Sequence, residues 1–217
     1  MKPTHHLDYS TLMAYAAGTL DEAFAVVAAS HISACPVCRE ALLEAEAVGG
    51  ALLEQMPEDQ VSGDCRSRTL AALEAAPAAP ARRAAPRRSA IPKPLAQLIG
   101  ASDFNDIAWK TRAPGVAMFD IKLPAGAKGQ LKLLRIGAGR AMPEHGHGGE
   151  EITLVLKGAY RDHIGRFAAG DVADLDEEIE HKPVVEGDQD CICLVATERP
   201  TRFKTLAARL MQPFVGI

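Results

Sequence analysis

Gly139-Arg140-Ala141-Met142-Pro143-Glu144-His145-Gly146-His147-Gly148-Gly149-Glu150-Glu151-Ile152-Thr153-Leu154-Val155-Leu156-Lys157-Gly158 sets two histidines and a carboxylate between bracketing glycines. If the segment is extended, His145 and His147 project to one side, because side chains alternate along a strand. Glu151 opens an apolar run and adds a carboxylate oxygen. Two imidazoles and a carboxylate suit Zn²⁺, Fe²⁺ or Mn²⁺.

The residues around this stretch read as short strands. Ala117, Phe119, Ile121 and Leu123 alternate with other residues, and Leu131, Leu133 and Arg135 oppose Lys132, Leu134 and Ile136. Further strands are predicted over 151–156, 159–164, 171–175, 183–186 and 191–197, with a terminal helix or edge segment over 205–211. Glycine-containing turns separate them. Many short strands with regular turns predict a β-barrel or jelly roll. In the last long strand Cys191 and Cys193 share one face, while Ile192 and Leu194 take the other. A direct bridge between those cysteines would need local distortion, because residues two apart have Cα atoms roughly 6.5–7 Å apart in a strand. The pair is a candidate for redox sensing, with small buried core thiols as the alternative.

Upstream, the pattern is helical. Leu12, Tyr15, Ala16 and Leu20 recur at three- and four-residue steps. Asp21 can cap a second helix carrying Phe24, Val27, Ala28 and His31. A third helix is predicted from Pro36 to Gln55, and a short fourth from Asp64 to Ala76. Between the two halves, residues 75–94 hold five prolines and a run of alanines and arginines. Such a stretch is an extended, stiff linker. The expected organisation is therefore α+β and multidomain. A small all-α domain covers 1–76, a Pro/Ala/Arg linker 77–94, and an all-β barrel 95–217.

The chain has 217 residues and a net charge of −4. The first 76 residues carry a net −7, residues 77–94 a net +5 and the remainder a net −2. An acidic front end argues against direct DNA binding, which requires clustered lysine and arginine. It suits a basic protein partner. No apolar run approaches the ~20 residues of a membrane span. The N-terminus carries no apolar secretory core, so a cytoplasmic protein is expected. Five cysteines in a reducing compartment point to metal or redox chemistry rather than a disulfide framework.

His31, Cys35 and Cys38 stand at i, i+4 and i+7, a spacing that on helical geometry puts the three side chains on one face. Two thiolates and an imidazole suit Zn²⁺, and a closed structural site needs a fourth ligand. His5 and His6 both precede the first helix; His6, beside Leu7, is the choice. Fewer than eighty residues of thin helices make a small core, and a metal staple is a common remedy. Cys65 is isolated and reads as a free thiol.

His31-x3-Cys35-x2-Cys38 with an upstream histidine resembles the zinc-binding anti-sigma domain. Gly139-x5-His145-x-His147-x3-Glu151-x6-Gly158 is similar, position for position, to the first cupin motif. The second cupin motif departs from the family. Phe167-Ala168-Ala169-Gly170-Asp171 lacks the usual proline, and Ala173 replaces the usual histidine. His181 can serve as the fourth ligand instead. The two motifs, the linker and the late Cys191-x-Cys193 together resemble ChrR-type anti-sigma factors over nearly the whole chain. That resemblance implies a non-enzymatic cytoplasmic inhibitor of an extracytoplasmic-function sigma factor. It implies that the N-terminal domain suffices to inhibit. It further implies a cupin domain, metal-bound through His145, His147, Glu151 and His181, that responds to singlet oxygen or organic peroxides. The alternative is a metal-dependent cupin dioxygenase or isomerase, since fold alone does not separate sensor from catalyst.

Overall fold

The computed structural model describes residues 2–75, 89–146 and 148–200, together with the backbone of 202–203. Five helices come first: α1 (Tyr9–Ala16), α2 (Glu22–Ala34), α3 (Pro36–Glu54), α4 (Cys65–Ala75) and α5 (Lys93–Ile99). Twelve strands follow: β1 (Lys110–Ala113), β2 (Val116–Ile121), β3 (Gln130–Ile136), β4 (His145–Gly146), β5 (Glu151–Lys157), β6 (Ala159–Arg161), β7 (Arg166–Ala168), β8 (Val172–Leu175), β9 (Glu180–His181), β10 (Val184–Val185), β11 (Cys191–Thr197) and β12 (Arg202–Phe203). Residues 205–211 lie outside the described residues.

Among the described residues all strand pairs are antiparallel. A six-stranded sheet in the order β1-β2-β3-β11-β5-β8 faces two three-stranded sheets, β10-β6-β7 and β12-β4-β9. Strand β11 sits between β3 and β5, pairing Leu194 with Leu133 on one side and Leu154 on the other. Its two faces serve different cores. Ile192, Leu194 and Ala196 point outward into an apolar layer shared with Phe24, Val27 and Ala28 of α2. Cys191, Cys193 and Val195 point inward, among Ile136, Val155, Tyr160 and Phe167. Helix α2 therefore lies on the outer face of the sheet, and burying Phe24 and Val27 there contributes about 1.5–3 kcal/mol each. Gly129 permits the close approach: a Cβ there would come within 3.1 Å of Ala23 Cβ.

Three local features differ from the sequence pattern. Asp21 occupies the N-cap of α2, but its side chain makes no capping bond; it lies 3.8 Å from Lys128 Nζ instead. Helix α5 begins inside the segment expected to be extended. Proline is tolerated in a first helical turn, and Ile91 and Leu95 are buried against the outer sheet layer. Helices α2 and α3, separate as predicted, turn through 116° between them, so His31, Cys35 and Cys38 do not share one helical face. Cys35 is the corner, at φ −96° and ψ 111°, because a residue preceding proline is driven out of the helical region. Among the described residues no single helix is long and apolar enough to cross a membrane.

Candidate metal centres

The corner at Cys35 changes how the first cluster is built. His31 lies in the last turn of α2, Cys35 at the bend and Cys38 in the first turn of α3. The three side chains converge across the bend rather than along one helical face. His31 Nε2 is 3.2 Å from Cys38 Sγ, and Cys35 Sγ is 3.3 Å from His6 Nδ1. One donor atom from each of His6, His31, Cys35 and Cys38 lies within 4.8 Å of the others. His5 stays outside this group, its ring against Phe167 with centroids 4.4 Å apart.

Two thiols and two imidazoles at these spacings fit the edges of a tetrahedron around Zn²⁺, whose bonds are about 2.3 Å to sulfur and 2.0–2.1 Å to nitrogen. The surroundings prepare the donors. His31 Nδ1 is 3.0 Å from the Gly170 carbonyl, which can only accept, so that nitrogen carries the proton and Nε2 keeps its lone pair. Burial holds the His31 pKa down to about 4, leaving the imidazole neutral. Burial raises the Cys38 thiol to about 11; a bound cation reverses that preference.

The second cluster lies inside the barrel. His145 from β4, Glu151 from β5 and His181 from β9 are all buried, with donor atoms within 4.8 Å of one another. Register places His145 directly opposite His181. Their Nε2 atoms are 3.0 Å apart. Each Nδ1 faces a group that can only accept: the Pro143 carbonyl at 2.8 Å for His145, and Asp162 Oδ2 at 2.8 Å for His181. In neutral rings both Nε2 atoms are then lone-pair donors aimed at one spot, a pairing that a cation between them relieves. Glu151 Oε1 accepts from Thr153 Oγ1 at 3.1 Å. His147 lies outside the described residues.

Asp162, which was not singled out in the sequence, completes a carboxylate–histidine pair of the kind that orients metal ligands. Its other oxygen accepts from the Ile164 and Gly165 amides, and the Asp-x-x-Gly turn this makes was the available sequence signal. The site opens on an apolar cavity lined by Leu134, Met142, Val185 and Val195, with Cys191 and Cys193 in its wall. Tyr160 lines the same cavity, and its buried hydroxyl has no hydrogen-bond partner among the described residues.

A family model described as the ChrR cupin-like domain matches residues 100–200. Over 215 residues the chain is 45% identical to the anti-sigma-E factor ChrR of Cereibacter sphaeroides, covering 98% of both chains. The chain belongs to the ChrR family of anti-sigma factors. Its fold matches a crystal structure of Rhodobacter sphaeroides SigE in complex with the anti-sigma ChrR, with a TM-score of 0.77 and 42% identity. That match covers 90% of this chain and all of the other. Membership in the ChrR family makes the chain a regulator rather than the dioxygenase or isomerase that a cupin alone would allow.

Proposed function

We propose that this protein binds and inhibits an extracytoplasmic-function sigma factor through residues 1–76, and that the cupin domain over 95–217 releases it under oxidative stress. The observation that carries the inhibitory half is the uncovered apolar surface of α3 and α4 on a base knotted by four metal-type ligands. Helix α4 has no buried residue; Leu70 and Leu73 are exposed on it, as are Leu43, Leu52 and Leu53 on α3. A relative alike along nearly its whole length is an anti-sigma factor. The acidic charge of this region suits steering toward a basic partner. The protein acts in the cytoplasm, with no direct contact to DNA or membrane.

In the helical domain Zn²⁺ held by His6, His31, Cys35 and Cys38 would tie the start of the chain to the α2–α3 bend and leave no open position. The barrel ligands are His145, His147, Glu151 and His181, for Zn²⁺ or alternatively Fe²⁺ or Mn²⁺. Cys191 and Cys193 are the redox partners of that site. An organic hydroperoxide would take two electrons from the pair. The O–O bond and two S–H bonds break, one S–S bond forms, and an alcohol and a water leave. Closing the sulfurs to about 2.05 Å would distort β11. The same strand carries Ile192 and Leu194 into the layer beneath α2.

Co-expression with candidate sigma factors, followed by purification and metal analysis, tests the reading. A one-to-one complex with zinc in the helical domain is expected. Replacing both Cys35 and Cys38 with serine should abolish the complex. Retention of full inhibition by that variant would overturn the proposal. Alanine at His145, Glu151 or His181 should leave inhibition intact and block release by oxidant.

A further inference from the structure

The turn joining β7 to β8 borders both candidate metal centres. On its inner side Phe167 is buried and stacks on Tyr160, with ring centroids 5.1 Å apart and an interplanar angle of 23°. Tyr160 lines the cavity that holds His145, Glu151 and His181. On the outer side the same Phe167 ring meets His5. The next residues of the turn grip the front of the chain. Gly170 offers its carbonyl to His31 Nδ1. Asp171 Oδ1 accepts from the Thr4 amide at 2.6 Å, the His5 amide at 3.1 Å and the Thr4 hydroxyl at 3.2 Å. Its Oδ2 accepts from the Ala168 amide at 2.8 Å and so holds the turn's own shape. The Val172 amide donates to the His5 carbonyl.

Gly170 is at φ +100°, a conformation that side chains rarely adopt, and a Cβ there would sit 3.2 Å from Pro3 Cγ. Burial opposes the Asp171 charge. The amides of Ala168, Thr4 and His5 outweigh that cost and hold the carboxyl below its ordinary range. One carboxylate therefore fixes the backbone immediately before His6, and one carbonyl fixes the ring of His31.

We propose that the Phe167–Asp171 turn is a coupling element that positions His6 and His31 for the N-terminal metal ion and makes retention of that ion depend on the state of the barrel cavity. The inference rests on the front-end metal site proposed above. Phe167 lies in ring contact with both Tyr160 and His5, and close-packed interiors pass displacement on rather than absorbing it. Partners of this kind outside the ligand set change metal affinity by about 10–100-fold when removed. Tyr160 is the cavity end of the path, and Thr4 to His6 is the clamp end.

The test uses the full chain loaded with Co²⁺. Thiolate ligands give cobalt a charge-transfer band that nitrogen and oxygen donors do not, and with Cys191 and Cys193 replaced by serine in every chain tested the band reads the front site. Its decay is followed after adding excess EDTA. Asp171→Ala should speed the decay about tenfold or more. Thr4→Pro removes both the amide and the hydroxyl donor of Thr4 from the clamp side without altering a barrel residue, and should act in the same direction. Tyr160→Ala, on the far side of Phe167, should speed the decay several-fold. That increment should vanish when Asp171→Ala is already present, because the path is cut. Unchanged decay in Thr4→Pro and Tyr160→Ala would overturn the proposal, as would Tyr160 and Asp171 effects that simply multiply. A chain carrying only the two serine replacements and showing no thiolate band would instead overturn the front-end metal site, and this inference with it.

Discussion

The sulfur atoms of Cys191 and Cys193 lie 3.7 Å apart on the inner face of β11. The strand achieves this beside an irregularity. Ile192 pairs with Lys157 and Cys193 with Val155, so Leu156 of β5 is an extra residue. A bulge of this kind increases local twist. The hydrogen bond with Cys191, and then burial, push the Cys193 thiol well above its ordinary range. Cys193 at rest is therefore a thiol, slow toward alkylating agents, and its oxidation by a hydroperoxide requires a cation at the adjacent histidines to favour the thiolate. Iodoacetamide at pH 8 should modify Cys65 in the folded protein and spare Cys191 and Cys193 until denaturant is added, as read by peptide mass spectrometry. Prompt labelling of Cys193 in the folded chain would contradict this account of the cavity.

Asp162 and His181 offer a separable test of the barrel centre. Asp162→Asn keeps the shape and removes the charge behind the imidazole. Barrel metal affinity should fall about 10–100-fold, while the sigma complex survives. Competition with a graded series of chelators measures the first, and co-purification the second. Unchanged affinity would mean that the 2.8 Å contact does not tune the ligand.

Leu70 and Leu73 face solvent on a helix with no buried residue. Aspartate at both positions should leave the melting temperature nearly unchanged, because exposed substitutions usually stay within about 0.5 kcal/mol. The same variant should lose sigma binding by about 2 kcal/mol or more if these leucines anchor the partner. Isothermal titration and thermal unfolding together decide it, and unaltered binding would move the docking surface elsewhere.

Phe24 is 2% exposed on the helix that covers the sheet. Phe24→Ala should destabilise the protein by about 3–5 kcal/mol, measured by urea unfolding. A loss below about 1 kcal/mol would mean that α2 does not pack as described.

Much of this arrangement is written in local spacing. The alternation Cys191-Ile192-Cys193-Leu194 assigns the two faces of β11, and Pro36 marks the first turn of α3. The bend at Cys35 was also encoded, by that same proline, although the ligand spacing alone suggested a single helical face. Strands β4 and β9 have two residues each and no period to read. Asp171 and Asp174 escaped for another reason. They hold Thr4, His5, Asp8 and Thr11 across more than 160 positions of chain, and no local pattern announces a contact that distant. Ile91 and Leu95 were masked by the prolines around them.

Strand β11 has a temporal consequence. It is the last long strand in the described chain, yet it fills the middle of the sheet. Chains leave the ribosome N-terminus first, at roughly 5–20 residues per second. Phe24 and Val27 are therefore synthesised long before their seat can close. During translation α2 has only a gap between β3 and β5 to rest on. The layer beneath α2 closes only once β11 has been made.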